Sequence, residues 1–175
     1  MIGRISTVLV SALVATSAWA STCQQSLPDS LKKVGETRLS VVFWDVYDAH
    51  LYTDTGNYDW EQRDKQQKAL LLNYLRDIKA ADLVETTGEE WQDLGLKHEQ
   101  QQQWLEQLNT IWPDIKEGDC LLLRENDQGY AEFYQADKLL GTIENKTFTD
   151  QFLAIWLSPD SRFKSERQEL VGEKQ

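Results

Sequence analysis

Residues 38–52, Arg-Leu-Ser-Val-Val-Phe-Trp-Asp-Val-Tyr-Asp-Ala-His-Leu-Tyr, decide the fold. Val, Phe, Trp and Tyr dominate the run, and these side chains suit a pleated, half-buried surface. Polar groups nevertheless break into it at Arg38, Asp45, Asp48 and His50. On a two-residue period, one face carries Leu39, Val41, Phe43, Asp45, Tyr47, Ala49 and Leu51. The other carries Arg38, Ser40, Val42, Trp44, Val46, Asp48, His50 and Tyr52. Both faces are largely apolar, which predicts a single central strand over residues 38–53, covered on both sides. Its polar side chains are then expected to be partly buried, to line a cleft and to need partners there.

Beyond this strand, Asp54-Thr55-Gly56-Asn57 has the residue chemistry of a turn. Residues 68–78 predict a second strand, buried at its three consecutive leucines. Helical spacing follows: Leu83, Val84, Thr87, Trp91 and Leu94 form one stripe, with Gly95 at the C-terminal cap. A second stripe joins Trp104, Leu105, Leu108, Ile111 and Trp112 and stops at Pro113. The period then returns to two. Residues 120–124, 130–135 and 139–143 are short strands separated by hairpin signals, which predicts an antiparallel meander. Phe148, Phe152, Ile155 and Trp156 mark a third helix ended by Ser158-Pro159, and a short charged helix is expected over 162–171. Strands, helices, strands, helices: the order is that of an α+β domain with helices packed on one face of an antiparallel sheet.

The N-terminus, MIGRISTVLVSALVATSAWA, places one basic residue before a short apolar core and ends in Ala18-Trp19-Ala20. That is the layout of a secretory signal peptide, with cleavage expected after Ala20. The apolar core is shorter than the about 20 residues that span a bilayer. The expected organisation is therefore a leader over residues 1–20 and one domain over 21–175, in the periplasm. No later run is long and apolar enough for a stable membrane span. The formal net charge is −11, and it becomes −12 when Arg4 leaves with the leader, with 17 basic residues against 29 acidic ones. A phosphate backbone is repelled by such a surface, which argues against nucleic acid as a partner. The two cysteines, Cys23 and Cys120, are a bridge or two separate thiols as far as the sequence goes. An oxidising compartment favours the bridge, which would tie the mature N-terminus to the domain.

Few residues have the spacing of a chemical site. His50 and His98 are far apart and have no Cys or His at ligand spacing, so no metal is expected. There is neither a phosphate-binding Gly-rich loop nor Gly-x-Ser-x-Gly, and no cofactor is expected. Asn145-Lys146-Thr147 has the form of a glycosylation acceptor but also suits the start of a helix. Asp48 and His50, two apart on a strand, share a face with Arg38 and Tyr52. A carboxylate there could orient the imidazole for base work; two satisfied polar residues at a strand end is the plainer reading. Arg38 could clamp a carboxylate with both arms of its guanidinium or pair with a surface acid. Trp91, Trp104, Trp112 and Trp156 fit helical stripes and are expected in the core.

The stretch from Val34 to Tyr52, with Phe-Trp-Asp-Val-Tyr-Asp-Ala at its centre, resembles the chalcone isomerase-like proteins exported by bacteria. Glu90-Trp-Gln-Asp-Leu-Gly95, Ile111-Trp-Pro-Asp-Ile-Lys-Glu-Gly-Asp119, Phe133-Tyr134, Leu140-Gly141 and Phe152-Leu-Ala-Ile-Trp-Leu-Ser158 extend the resemblance over nearly all of the mature chain. It implies the chalcone isomerase fold, a large antiparallel sheet carrying helices, with a ligand cleft between the layers. True chalcone isomerases close a flavanone ring with an Arg, a Thr and a Tyr, whereas their non-enzymatic relatives bind fatty acids through an Arg and a Tyr. By this resemblance Arg38, Trp44, Tyr47 and Tyr52 are the expected ligand-binding residues. Arg38, Tyr47, Asp48 and His50 are the candidates for any catalysis. The departures are specific: Tyr47 stands where the enzymes carry Thr, and no counterpart of their Asn and second Thr is present. The implied function is binding of a small apolar or amphipathic molecule, an acyl chain among the candidates. An isomerase or lyase in the same cleft, or an envelope interaction protein without ligand, are the alternatives.

Overall fold

The structure, a computed structural model, describes residues 22–174. The leader and its cleavage point lie outside the described residues. Six strands form one antiparallel meander in the order β1 to β6: β1 (Lys32–Val41), β2 (Trp44–Thr53), β3 (Lys68–Tyr74), β4 (Cys120–Glu125), β5 (Ala131–Gln135) and β6 (Lys138–Ile143). Four α-helices accompany it: α1 (Ala80–Asp93), α2 (Gln101–Ile111), α3 (Lys146–Leu157) and α4 (Lys164–Leu170). Short 3-10 turns occupy Thr22–Ser26 and Trp60–Lys65. The α+β architecture is the one expected, and no helix among the described residues is long and apolar enough to cross a membrane.

The single strand expected over residues 38–53 is instead a hairpin. β1 and β2 pair from Lys32 opposite Thr53 to Val41 opposite Trp44, and only Val42 and Phe43 make the turn. Nothing in Val-Val-Phe-Trp announces it, since tight hairpin turns are normally marked by Gly, Asn or Asp. Val42 adopts φ +60, a conformation that costs most for a β-branched side chain. A second departure sits on β2. Leu39 pairs with Tyr47 but Ser40 pairs with Asp45, so Val46 is a bulge. The bulge reverses the alternation, moving Asp45 to the same side as Asp48 and away from Tyr47.

That side meets solvent. Arg38 lies opposite Asp48 and donates to it from Nε at 2.7 Å and Nη2 at 2.9 Å. Its Nη1 reaches Asp45 at 3.3 Å, and Ser40 donates to the same carboxylate at 2.6 Å. These contacts are exposed. The polar residues therefore interrupt the apolar run because they cover an open sheet face, and the expectation that they line a buried cleft is corrected.

β3 shows what full burial looks like: Ala69, Leu70, Leu71 and Leu72 are all buried. Leu70 and Leu72 join Leu121, Leu123 and Phe133 against the helices, where Trp91, Trp104 and Phe148 pack ring edge to ring face and Phe152 stacks on Phe148. Leu71 looks the other way, into a smaller cluster with Leu31, Tyr52 and Leu122. The Cys23–Cys120 disulfide closes that second cluster and pins the N-terminal segment to the sheet. The pairing expected from an oxidising environment is thus present. Of the four described α-helices, α3 alone begins with a side-chain cap. Asn145 accepts from the Phe148 amide at 3.1 Å, so the Asn-Lys-Thr triplet opens α3.

Candidate functional site

Between the helical layer and the inner sheet face lies a cavity of about 310 Å³, at the small end of the about 300–1,000 Å³ typical of ligand pockets. Its sheet wall is apolar: Leu70 and Leu72 from β3, Leu121 and Leu123 from β4, and Phe133 from β5. Helices supply Leu83, Thr87 and Glu90 from α1, and Phe152, Ile155 and Trp156 from α3. Trp112 enters from the residue after α2. Arg162 and Phe163 enter from the connection into α4.

Two tyrosines stand side by side in this wall. Tyr47, the residue after the bulge, is opposite Tyr74 at the end of β3, with ring centroids 5.7 Å apart in an edge contact. The Tyr47 hydroxyl accepts from Trp156 Nε1 at 2.9 Å, which leaves its own proton to give. Burial pushes both phenols well above their ordinary pKa, so they remain neutral donors. Among the described residues no acceptor meets the Tyr74 hydroxyl, and Trp112 Nε1–H, sealed off with almost no accessible surface, has none either. An unmet buried donor costs about 1–3 kcal/mol. The donors this wall can present to a ligand are therefore the Tyr47 and Tyr74 hydroxyls.

One charged pair lies at the rim. Glu90, 5% exposed, takes Arg162 Nη2 at 2.6 Å, and Arg162 Nη1 lies 3.7 Å from Asp93. Desolvation raises the Glu90 pKa, and Arg162 pulls it back in part. Both acids sit in the last turn of α1, where the helix dipole disfavours negative charge. The guanidinium compensates for that placement and supplies the cation of the cavity wall.

Of the four ligand-binding residues expected from the sequence, Tyr47 alone lines the cavity. Arg38 is on the opposite, exposed face and is already held by Asp48 and Asp45. Trp44 projects at the hairpin tip, 66% exposed, beneath the Arg76 guanidinium. Tyr52 packs in the cluster around the disulfide. Asp48 and His50 do not form a dyad: Asp48 serves Arg38, while His50 Nδ1 lies 3.1 Å from a Glu36 oxygen. Desolvation lowers the His50 pKa, with Lys33 adding to it. Among the described residues no cluster of His, Cys, Asp and Glu could hold a metal ion.

The structure adds Tyr74, Glu90, Trp112 and Arg162. Glu90 carried a readable signal, since Leu83, Thr87 and Glu90 fall at i, i+4 and i+7 and put an acid on the apolar stripe of α1. Tyr74 and Trp112 read as ordinary strand and helix-end aromatics. Arg162 sits in a charged connection with no pattern to distinguish it.

A fatty-acid binding protein of Arabidopsis thaliana has a similar fold, with a TM-score of 0.66 over 84% of this chain and 89% of that one, at 12% identity. An uncharacterized protein of Haemophilus influenzae is 29% identical over 128 residues. That match covers 73% of this chain and 61% of the relative, so the chain spans about three-fifths of its length. The chalcone isomerase-like family matches residues 20–172, which takes in the sheet, the helices and the whole of the cavity wall. On that match and on the architecture around the cavity, the chain belongs to the chalcone isomerase-like family.

Proposed function

We propose that the protein binds a small, largely apolar molecule bearing a hydrogen-bond acceptor, in the cavity between sheet and helices, without chemical conversion. The observation that carries this reading is an apolar cavity walled by two neutral phenols, Tyr47 and Tyr74, the second of which has no acceptor among the described residues. A carbonyl or carboxylate in the ligand would satisfy them. A fatty acid is the specific candidate, supported by the binding named for the Arabidopsis protein of the same fold. The leader and the disulfide support export to the periplasm as the setting.

Carboxylate recognition passes from Arg38 to Arg162 in this reading. An acid ligand reaching the rim would exchange with Glu90 for the guanidinium, so Glu90 competes with it. Glu90→Gln is therefore expected to raise affinity for decanoic acid by about tenfold and to leave methyl decanoate within about twofold. Calorimetric titration of both ligands checks this. Equal changes for acid and ester would remove Arg162 from carboxylate recognition.

One observation favours a second reading, an isomerase or lyase. Glu90 is a buried carboxyl with a raised pKa in the same cavity wall as the Tyr47 phenol, a pairing of groups suited to proton transfer. Asp48 and His50 have no part in it. Turnover of a chalcone that Glu90→Gln abolishes would establish this reading over simple binding.

A further inference from the structure

Among the described residues, four of the five exposed large apolar side chains are consecutive and form the tip of the β1–β2 hairpin. Val41 is 46% exposed, Val42 81%, Phe43 93% and Trp44 66%. Other large apolar residues are mostly buried, Leu139 being the exception. The tip bears two local costs together. Four large apolar groups face water, and Val42 holds φ +60, where a Gly would sit without strain. Neither helps the isolated chain fold.

We propose that this tip inserts into the interfacial layer of a lipid bilayer, with Val42, Phe43 and Trp44 as the inserted residues. Three features select a lipid surface over a protein partner. The tip is a convex two-residue turn, too small to bury the about 800 Å² per side of a stable protein interface. Its composition is that of interfacial anchors, an amphipathic Trp beside Phe. Arg76, whose guanidinium lies 5.5 Å above the Trp44 ring, places a cation at phosphate depth once the ring is buried. The tip is also continuous with the cavity, because Val41 belongs to both. A bilayer on the tip thus abuts the cavity wall, and an apolar ligand would pass between them with little exposure to water. The membrane contact stands on the tip alone; its use in loading the cavity rests on the binding function proposed above.

With a net charge of −11, the molecule gains little from anionic lipid, so the contact is apolar and tolerant of salt. The test is flotation of the mature protein with phosphatidylcholine vesicles, alongside Phe43→Ser/Trp44→Ser. Both positions are exposed, so the variant should melt with the wild type and bind decanoic acid in solution unchanged. Wild type is expected to float at low and high salt, and the variant to lose about tenfold or more of its partitioning. Failure of the wild type to float, or equal flotation of both, would overturn the proposal. So would self-association that the variant abolishes in the absence of flotation, which would assign the tip to a protein contact. Loss of decanoic acid binding by wild type alongside intact flotation would strike the cavity reading and leave the membrane contact standing.

Discussion

Replacing both Cys23 and Cys120 by Ser is expected to lower stability by about 4 kcal/mol, among the largest effects of any conservative change in this chain. The bridge joins residues 97 apart in sequence, and closing a loop of that length removes about 4–5 kcal/mol of freedom from the unfolded chain. A second loss is local. Cys23 anchors the Thr22–Ser26 turn over Tyr52, Leu71 and Leu122, and Ser26 donates to the Ala136 carbonyl at 2.9 Å. Without the anchor that segment should fray and expose the outer cluster. Urea unfolding of the variant, and of the wild type with and without reductant, measures both losses. A difference below about 1 kcal/mol would mean that the native sheet does not need the bridge.

Gly35→Ala is expected to be comparably damaging for a different reason. Its new Cβ would stand 2.3 Å from the Glu169 carbonyl oxygen and 2.6 Å from that of Leu170. Both are backbone atoms at the end of α4, and neither yields cheaply. Gly35 follows the irregularity at Val34 in β1, so the strand bends where the helix approaches most closely. Relief requires α4 to move off the sheet, together with the buried Leu170 and Val171. Overpacking of this kind costs about 1–3 kcal/mol or more, a melting shift of roughly 2–4 °C per kcal/mol for a domain this size. Gly95→Ala provides the contrast. It sits at φ +67 with nothing near its Cβ position, so it should lose only about 1 kcal/mol from backbone conformation. Thermal melts of the two variants should separate these causes, and equal shifts would refute the close-packing account.

Helical stripes were legible in the sequence because each helix lies on a single core. Leu83, Thr87 and Trp91, then Trp104 and Leu108, then Phe148 and Phe152 fall on the faces their spacing predicts. The meander from β4 to β6 was legible for a similar reason, through its turn residues. The first hairpin was not. Val42 and Phe43 turn the chain without turn chemistry, and the alternation of apolar groups runs on as if unbroken. Treating it as one strand put Arg38 on a cleft wall, whereas a hairpin sets it opposite Asp48, ten residues away, on the open face. The bulge at Val46 hid Asp45 in the same way. Tyr47 does line the cavity, because the bulge leaves it across from Leu39 and Tyr74 on the inner face. The unused donors at Tyr74 and Trp112 depend on which partners come near them in three dimensions, and no spacing records that.

If the cavity between sheet and helices holds a small apolar ligand, filling it with a larger side chain must weaken or abolish binding. Leu83 lines the cavity from α1 and is only partly buried, so Leu83→Trp adds volume into open space instead of into packed core. Calorimetric titration with decanoic acid and methyl decanoate should give one saturable site per wild-type chain. In Leu83→Trp, folded and melting close to the wild type, affinity for both should fall by about tenfold or more, since the indole takes the space the chain would occupy. Undiminished binding by the plugged variant, or no saturable site for either molecule on the wild type, would contradict the claim.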